Sequence, residues 1–461
     1  MRATDEVVEF IQATQLSDIP GDVKHLGKRA ILDTLGVALA GSGDESVRIL
    51  LETMAGRQGD SRASLIGSGQ RTDSLSAALI NGTMAHALDY DDVNESCMGH
   101  PSAPILPAVI ALGEELDKSG ADVLEAFLVG FELECKLGSA IGRSHYGKGW
   151  HATATLGTIG AAAACARLMG LDSKATEITL GIAASLASGI RSNFGTMTKP
   201  LHVGEASRNG VLASLLASKG FTATSNVFDH PIDFGQVFSE DKLNKDYLIE
   251  SLGSPWDILT PGITVKKYPC CNKVHRTVDA TLGLVVDHHP QPSDISEVVI
   301  TIPPGEDVPL IYKKATTGLE GKFCMQFCVA SAIVDGEIVF NTFETNRVER
   351  AEVQQLSDKV TVVTDESQIP VVIDTGGHVD VSIIMQDGRI FDRKIEKATG
   401  TPTFPLSDND LQNKFRSCAK TVLNSNDIET AIAGIYDLEN LRSTADLMHM
   451  LSVASTIDLK V

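Results

Sequence analysis

Through the first half of the chain, glycine and alanine lie inside apolar, helix-spaced segments rather than between them, and this constrains the fold more than any other feature. A glycine within a helix costs stability but lets a neighbouring helix approach closely. Val23, Leu26, Ala30, Ile31, Leu35 and Ala38 repeat with the 3.6-residue period, and Gly41-Ser42-Gly43 ends that segment. Asp73 reads as the N-cap of a helix over residues 74–88. Further helices are predicted over 122–142, 153–170, 174–188 and 208–220, of which 153–170 and 174–188 are rich in small residues, as suits helices buried on several sides. Aromatic residues make up 5% of a chain that is 43% hydrophobic, so the core is built from Ala, Leu, Val and Ile, which favours packed helices over an aromatic-rich sandwich.

After Pro261 the character changes. Residues 296–302, closed by Pro303, and residues 359–364 read as strands, while 378–385 and 389–394 flank Gln386-Asp387-Gly388 as a hairpin. One helix, 322–335, sits among them, and from Leu406 the helical pattern returns with helices over 408–423 and 438–451. A chain of 461 residues exceeds a single core. The expected fold is therefore mainly α with an α+β second domain: a large all-helical domain of residues 1–264 and 403–461, and a smaller α+β lid of residues 265–402.

The formal net charge is −21, which should repel nucleic acid and anionic membranes, so neither is an expected partner. It should also repel an anionic substrate unless the site is locally basic. The cysteines, at 97, 135, 165, 270, 271, 324, 328 and 418, read as reduced core thiols. The first residues lack the basic and apolar regions of a secretion signal, and no run of about 18 apolar residues is seen, so a cytoplasmic protein without a transmembrane helix is expected.

Certain segments crowd ionisable residues beside apolar helices. In His86-Ala87-Leu88-Asp89-Tyr90-Asp91-Asp92, followed by Gly99-His100-Pro101-Ser102, a helix ends in carboxylates. His100 would lie near the next helix N-terminus, where the dipole lowers an imidazole pKa. In Gly195 to His202, Lys199 and His202 flank Pro200, read as a helix breaker, so that a loop presents cations to a pocket. Lys266 to Arg276 carries Lys266, Lys267, Lys273, His275 and Arg276 with no acid, at the junction of the two domains, which reads as an anion site in a cleft. Arg143, Tyr146 and His151 form a weaker group. Adjacent Cys270 and Cys271 with Cys324 and Cys328 make a poor zinc set, and the Asp89–Asp92 group with His100 shows no supporting shell for a divalent cation, so no metal is expected. Phosphate-binding loops and a Gly-x-Ser-x-Gly elbow are missing, leaving nucleotide cofactors unsupported.

Taken together and in order, His86–Asp92, His100-Pro101-Ser102, Gly149-Trp150-His151-Ala152-Thr153, Lys199-Pro200-Leu201-His202-Val203-Gly204 and Lys266 to Cys271 resemble the signature of the MmgE/PrpD family over essentially the whole chain. The resemblance implies a helical domain containing both termini, an α+β lid, a homodimer, and catalysis without metal or organic cofactor. It implies catalytic roles for Asp89, His100, His151 and Tyr312, with Lys199, His202 and Lys266 binding the substrate, a small di- or tricarboxylate. The shared step is making or quenching a carbanion next to a carboxylate, with fixed cations stabilising the developing charge and His100 moving the proton. The expected reaction is that of a hydro-lyase acting on 2-methylcitrate or a similar hydroxy acid. A cis-aconitate-type decarboxylase and an iminodisuccinate-type epimerase are alternatives, and a non-catalytic carboxylate binder is an alternative of another class.

Overall fold

The computed structural model describes residues 2–56, 59–371 and 376–452; the ends of the expected helical domain, Met1 and residues 453–461, lie outside the described residues. The helical part contains α1 (Gly21–Gly41), α2 (Ser74–Ala87), α3 (Ser102–Glu115), α4 (Gly120–Ile141), α5 (Ala152–Met169), α6 (Ser173–Leu186) and α7 (Thr198–Ser218). The α2 helix starts where the Asp73 carboxylate accepts from the Ser76 N–H at 2.9 Å. It is apolar all round and nearly every residue is buried, so packing rather than one amphipathic face holds it. A Cβ at Gly82 would lie 2.9 Å from the Gly204 Cα, and one at Gly204 would lie 2.2 Å from the Leu79 carbonyl oxygen. Only glycine permits α2 and α7 to cross so closely, and the antiparallel crossing carries His86 at the end of α2 to Lys199 at the start of α7.

The α5 helix is long and apolar enough to cross a membrane by length and composition, against the expectation that no segment is, and 89% of it is buried within the fold. Thr153, Thr155 and Thr158 interrupt the run of apolar letters without lowering its mean hydropathy far, which is why the sequence hid it. It is the central helix of the bundle.

Pro200 does not break a helix. It occupies the first turn of α7, where N–H groups have no intrahelical acceptor, so a proline removes nothing. The helix therefore begins ten residues before its predicted start, and Lys199 belongs to its first turn rather than to a loop.

The second part is built on a four-stranded sheet of β1 (Ile295–Ile302), β2 (Val360–Thr364), β3 (Val379–Met385) and β4 (Ile390–Ile395), in the spatial order β2-β1-β3-β4. Strand β2 is parallel to β1, and β3 is antiparallel to both β1 and β4. The hairpin turns at Gly388, whose φ of +89° suits glycine. Alternate residues Val379, Val381, Ile383 and Met385 point into a core covered by α8 (His275–His288) and α9 (Met325–Asp335).

Two apolar cores result. One spans Ala3 to Val265 and resumes from Leu411 to Leu451; the other runs from Tyr268 to Met385 and borrows Phe194 from the helical part. The C-terminal return consists of α10 (Asp408–Ala419), α11 (Ser425–Tyr436) and α12 (Thr444–Met450). The single helix expected over 438–451 is a short 3-10 turn, Leu438–Asn440, followed by α12, because Ser443 is extended and caps a new start.

Candidate active site

The site is built around the segment that follows α2. Asp89 adopts a left-handed backbone, φ +52°, which is unfavourable for a residue with a Cβ. Three lysines hold it there. Lys322 donates to the Leu88 carbonyl at 2.7 Å, Lys266 to the Asp89 carbonyl at 2.7 Å, and Lys414 to the Tyr90 carbonyl at 2.8 Å. These come from the α+β part, the junction segment and α10, so three distant stretches of chain meet on three consecutive peptide groups. Lys414 also pairs with Asp33 at 2.7 Å and lies 3.8 Å above the Tyr90 ring.

The Asp89 carboxylate faces two ammonium groups, Lys199 Nζ at 2.7 Å and Lys266 Nζ at 3.2 Å. Burial alone would raise its pKa, but these two lysines hold it well below the usual carboxylate range. Lys199 also donates to His86 Nε2 at 2.5 Å and lies over the paired rings of Phe194 and Phe323, 5.3 and 5.5 Å from their centroids. With Nε2 accepting, the His86 proton resides on Nδ1 and is donated to Asp91 at 2.8 Å. Burial lowers the His86 pKa to about 3, with Lys199 adding to the effect and Asp91 opposing it, so His86 is a neutral support.

His100 packs edge-on against the His86 ring, centroids 4.6 Å apart, and approaches the same Asp91 oxygen. Its Nδ1 approaches Asp91 Oδ2 at 3.2 Å, close enough for attraction but outside hydrogen-bond geometry, which leaves that nitrogen without a bonded partner. Its Nε2 lies 3.8 Å from Asp89 Oδ1. Burial lowers the pKa of His100, with Asp91 opposing the shift and the Lys266 and Lys199 charges adding to it. Asp92 turns away and accepts from the Ser102 hydroxyl at 2.5 Å; burial raises its pKa to about 8, so it is a neutral acid.

A cavity of about 270 Å³ opens between the two cores. Asp89, His100, His151, Lys199 and Lys266 line it, together with Arg143, Arg191 and Lys273, and Asp89 is the only carboxylate among the described lining residues. Five cations thus surround one acid in a chain of net charge −21. His202 does not reach the lining. It stands behind His151, the two Nδ1 atoms 3.2 Å apart, so one imidazole donates and the other accepts. Burial lowers both rings, His202 to about 4, with the Lys199 charge adding to it. Tyr312 is also outside the lining, its hydroxyl donating to the Phe194 carbonyl at 3.3 Å. Cys271 lines the cavity as a neutral thiol, pushed up to about 12 by burial.

His86 and Asp91 lie within the first motif but have no role assignable from the sequence, and Arg191, Lys322 and Lys414 lie outside every motif. Lys414 left a trace: it shares a helical face with the buried Leu411 and Cys418, where a lysine is out of place unless paired. Ligand atoms of His86, Asp89, Asp91 and His100 lie within 4.8 Å of one another, a spacing a metal ion would accept. The Lys199 and Lys266 ammonium groups already face this cluster, and two buried positive charges oppose a divalent ion there.

The site is thus a lysine- and histidine-rich cavity between a helical bundle and an appended α+β unit. The chain belongs to the MmgE/PrpD family: its N-terminal domain pattern matches residues 5–246 and its C-terminal domain pattern residues 268–438. Among curated proteins it is similar to cis-aconitate decarboxylase of Mus musculus, 28% identical over 99% of this chain and 94% of that protein. It is likewise 28% identical to the cis-aconitate decarboxylases of Homo sapiens (97% of this chain, 94% of that protein) and Aspergillus terreus (97% and 96%).

Proposed function

We propose that the chain is a lyase that removes CO2 from an unsaturated tricarboxylate of the cis-aconitate type, using protein acid–base groups and no metal or organic cofactor. The observation that carries this reading is the convergence of Lys199, Lys266, His100 and His151 on a cavity with a large excess of cations. In such a reaction the C–C bond to the departing CO2 breaks, and its electron pair becomes a new double bond. The electrons of the old double bond move to the carbon beside a second carboxylate, and that carbon takes one proton. Negative charge builds on this carboxylate in the transition state, where fixed ammonium groups act most strongly.

His100 is the proton donor in this scheme. Empty, the cavity holds it neutral, because burial and the neighbouring lysines disfavour its charged form. A bound trianion reverses that local field and raises its pKa, so substrate and proton enter together. His86 and Asp91 orient the ring and are not consumed.

The hydro-lyase reading on 2-methylcitrate uses the same histidines as base and acid. It is the second choice, because Tyr312, the donor assigned to the leaving hydroxide, is committed to Phe194 outside the lining. NMR in D2O with cis-aconitate, 2-methylcitrate and iminodisuccinate separates the readings. Decarboxylation is expected, with one deuteron entering the product; loss of water from 2-methylcitrate alone would favour the second reading, and no change in any of the three would defeat both.

A further inference from the structure

We propose that Arg191 is the specificity residue of the cavity, gripping one substrate carboxylate with two parallel N–H groups; this deepens the polycarboxylate reading and rests on it. The cavity's lysines are already engaged. Lys199 and Lys266 face Asp89, and Lys273 lies 3.7 Å from Glu306. Arg191 has no carboxylate partner among the described residues.

Its guanidinium is nevertheless held in one orientation. The Nη1 group donates to the Tyr146 carbonyl at 2.7 Å, and the guanidinium carbon lies 4.0 Å from the centroid of the Tyr146 ring. Nε is buried and has no hydrogen-bond partner among the described residues. With one terminal nitrogen used and one face stacked, the remaining edge is Nε with Nη2, whose two N–H groups point the same way. That edge matches the two oxygens of a carboxylate. A buried N–H without an acceptor is unfavourable, and a ligand oxygen would supply the acceptor. The backbone fixes the position as well: the Arg191 N–H donates to the Gly149 carbonyl at 2.8 Å, and the His151 N–H to the Gly189 carbonyl at 3.0 Å. A carboxylate on Arg191 is thereby set at a defined place relative to His151.

Calorimetric titration of the full chain with propane-1,2,3-tricarboxylate and its two monoamides tests this. Wild type should bind the tricarboxylate and lose about tenfold to a hundredfold in affinity for one of the monoamides. Arg191→Gln should weaken tricarboxylate binding by a similar factor and no longer distinguish it from that monoamide. Arg191→Lys keeps the charge and a donor for Tyr146 but lacks the fork, so it should resemble Arg191→Gln rather than wild type. Because the discrimination is read within each variant, a general loss of stability does not imitate it. Retention of the wild-type preference by both variants would overturn the role of Arg191 while leaving the polycarboxylate reading intact. A wild type that binds none of the three ligands would overturn both.

Discussion

Opposite charges are concentrated on single residues here. Asp89 meets two ammonium groups, Asp91 meets two imidazoles, and Asp92, next in the chain, meets the hydroxyl and the backbone N–H of Ser102 and no cation among the described residues. Three carboxyls within four residues therefore differ in protonation, the first two ionised and the third neutral. The raised pKa of Asp92 has a measurable consequence. Unfolded, it ionises near pH 4; folded, burial delays ionisation to about 8. The folded state thus binds more protons across that window, and stability falls as pH rises through it. Relative to Asp92→Asn, whose side chain does not titrate, wild type should lose roughly 2–3 kcal/mol between pH 5 and pH 7. Denaturant titrations at the two values check this; a constant difference between the proteins would mean that Asp92 is ionised in the fold.

At the scale of elements, the segment after α2 is shaped by contacts made from outside it. Lys414 reaches it from α10, more than three hundred residues away in sequence, and pairs with Asp33 of α1. Lys414→Met alone would leave Asp33 buried without its partner, costing about 3–5 kcal/mol. Adding Asp33→Asn should restore most of the melting temperature but not turnover, because the Tyr90 carbonyl still lacks its ammonium donor. Recovery of kcat in the double variant would show that the lysine is needed only for folding. Such ties explain what the sequence concealed. The helix ending at His86 was legible from its Asp73 cap, the helix after His100 only as one that Pro101 could open, and the hairpin from Gln386-Asp387-Gly388. Pro200 misled because a proline in a first turn and a proline that stops a helix look alike in a string of letters. The α11 helix was passed over although Asn424 caps it, since Ile428, Ala431, Ile432 and Ile435 form only a short apolar stripe.

On the scale of the whole molecule, an acidic exterior surrounds a cationic cavity, and the cavity exists only because both cores contribute to it. Asp89, His100, His151 and Lys199 come from the helical part, while Lys273 and Phe323 come from the α+β part. The motif order in the sequence pointed to the first group, since each residue sits at or beside a helix end. Arg191 and Lys322 carry no local signal, because their roles depend on where Tyr146 and Leu88 are brought by the fold. In the proposed reaction, positive side chains hold an organic acid while His100 delivers a proton to carbon. Its most direct test is deuterium incorporation from D2O during turnover of cis-aconitate, compared between wild type and His100→Ala. One carbon-bound deuteron per product is expected in wild type, with a rate at least about a hundredfold lower in the variant. Turnover in His100→Ala within about threefold of wild type would contradict it.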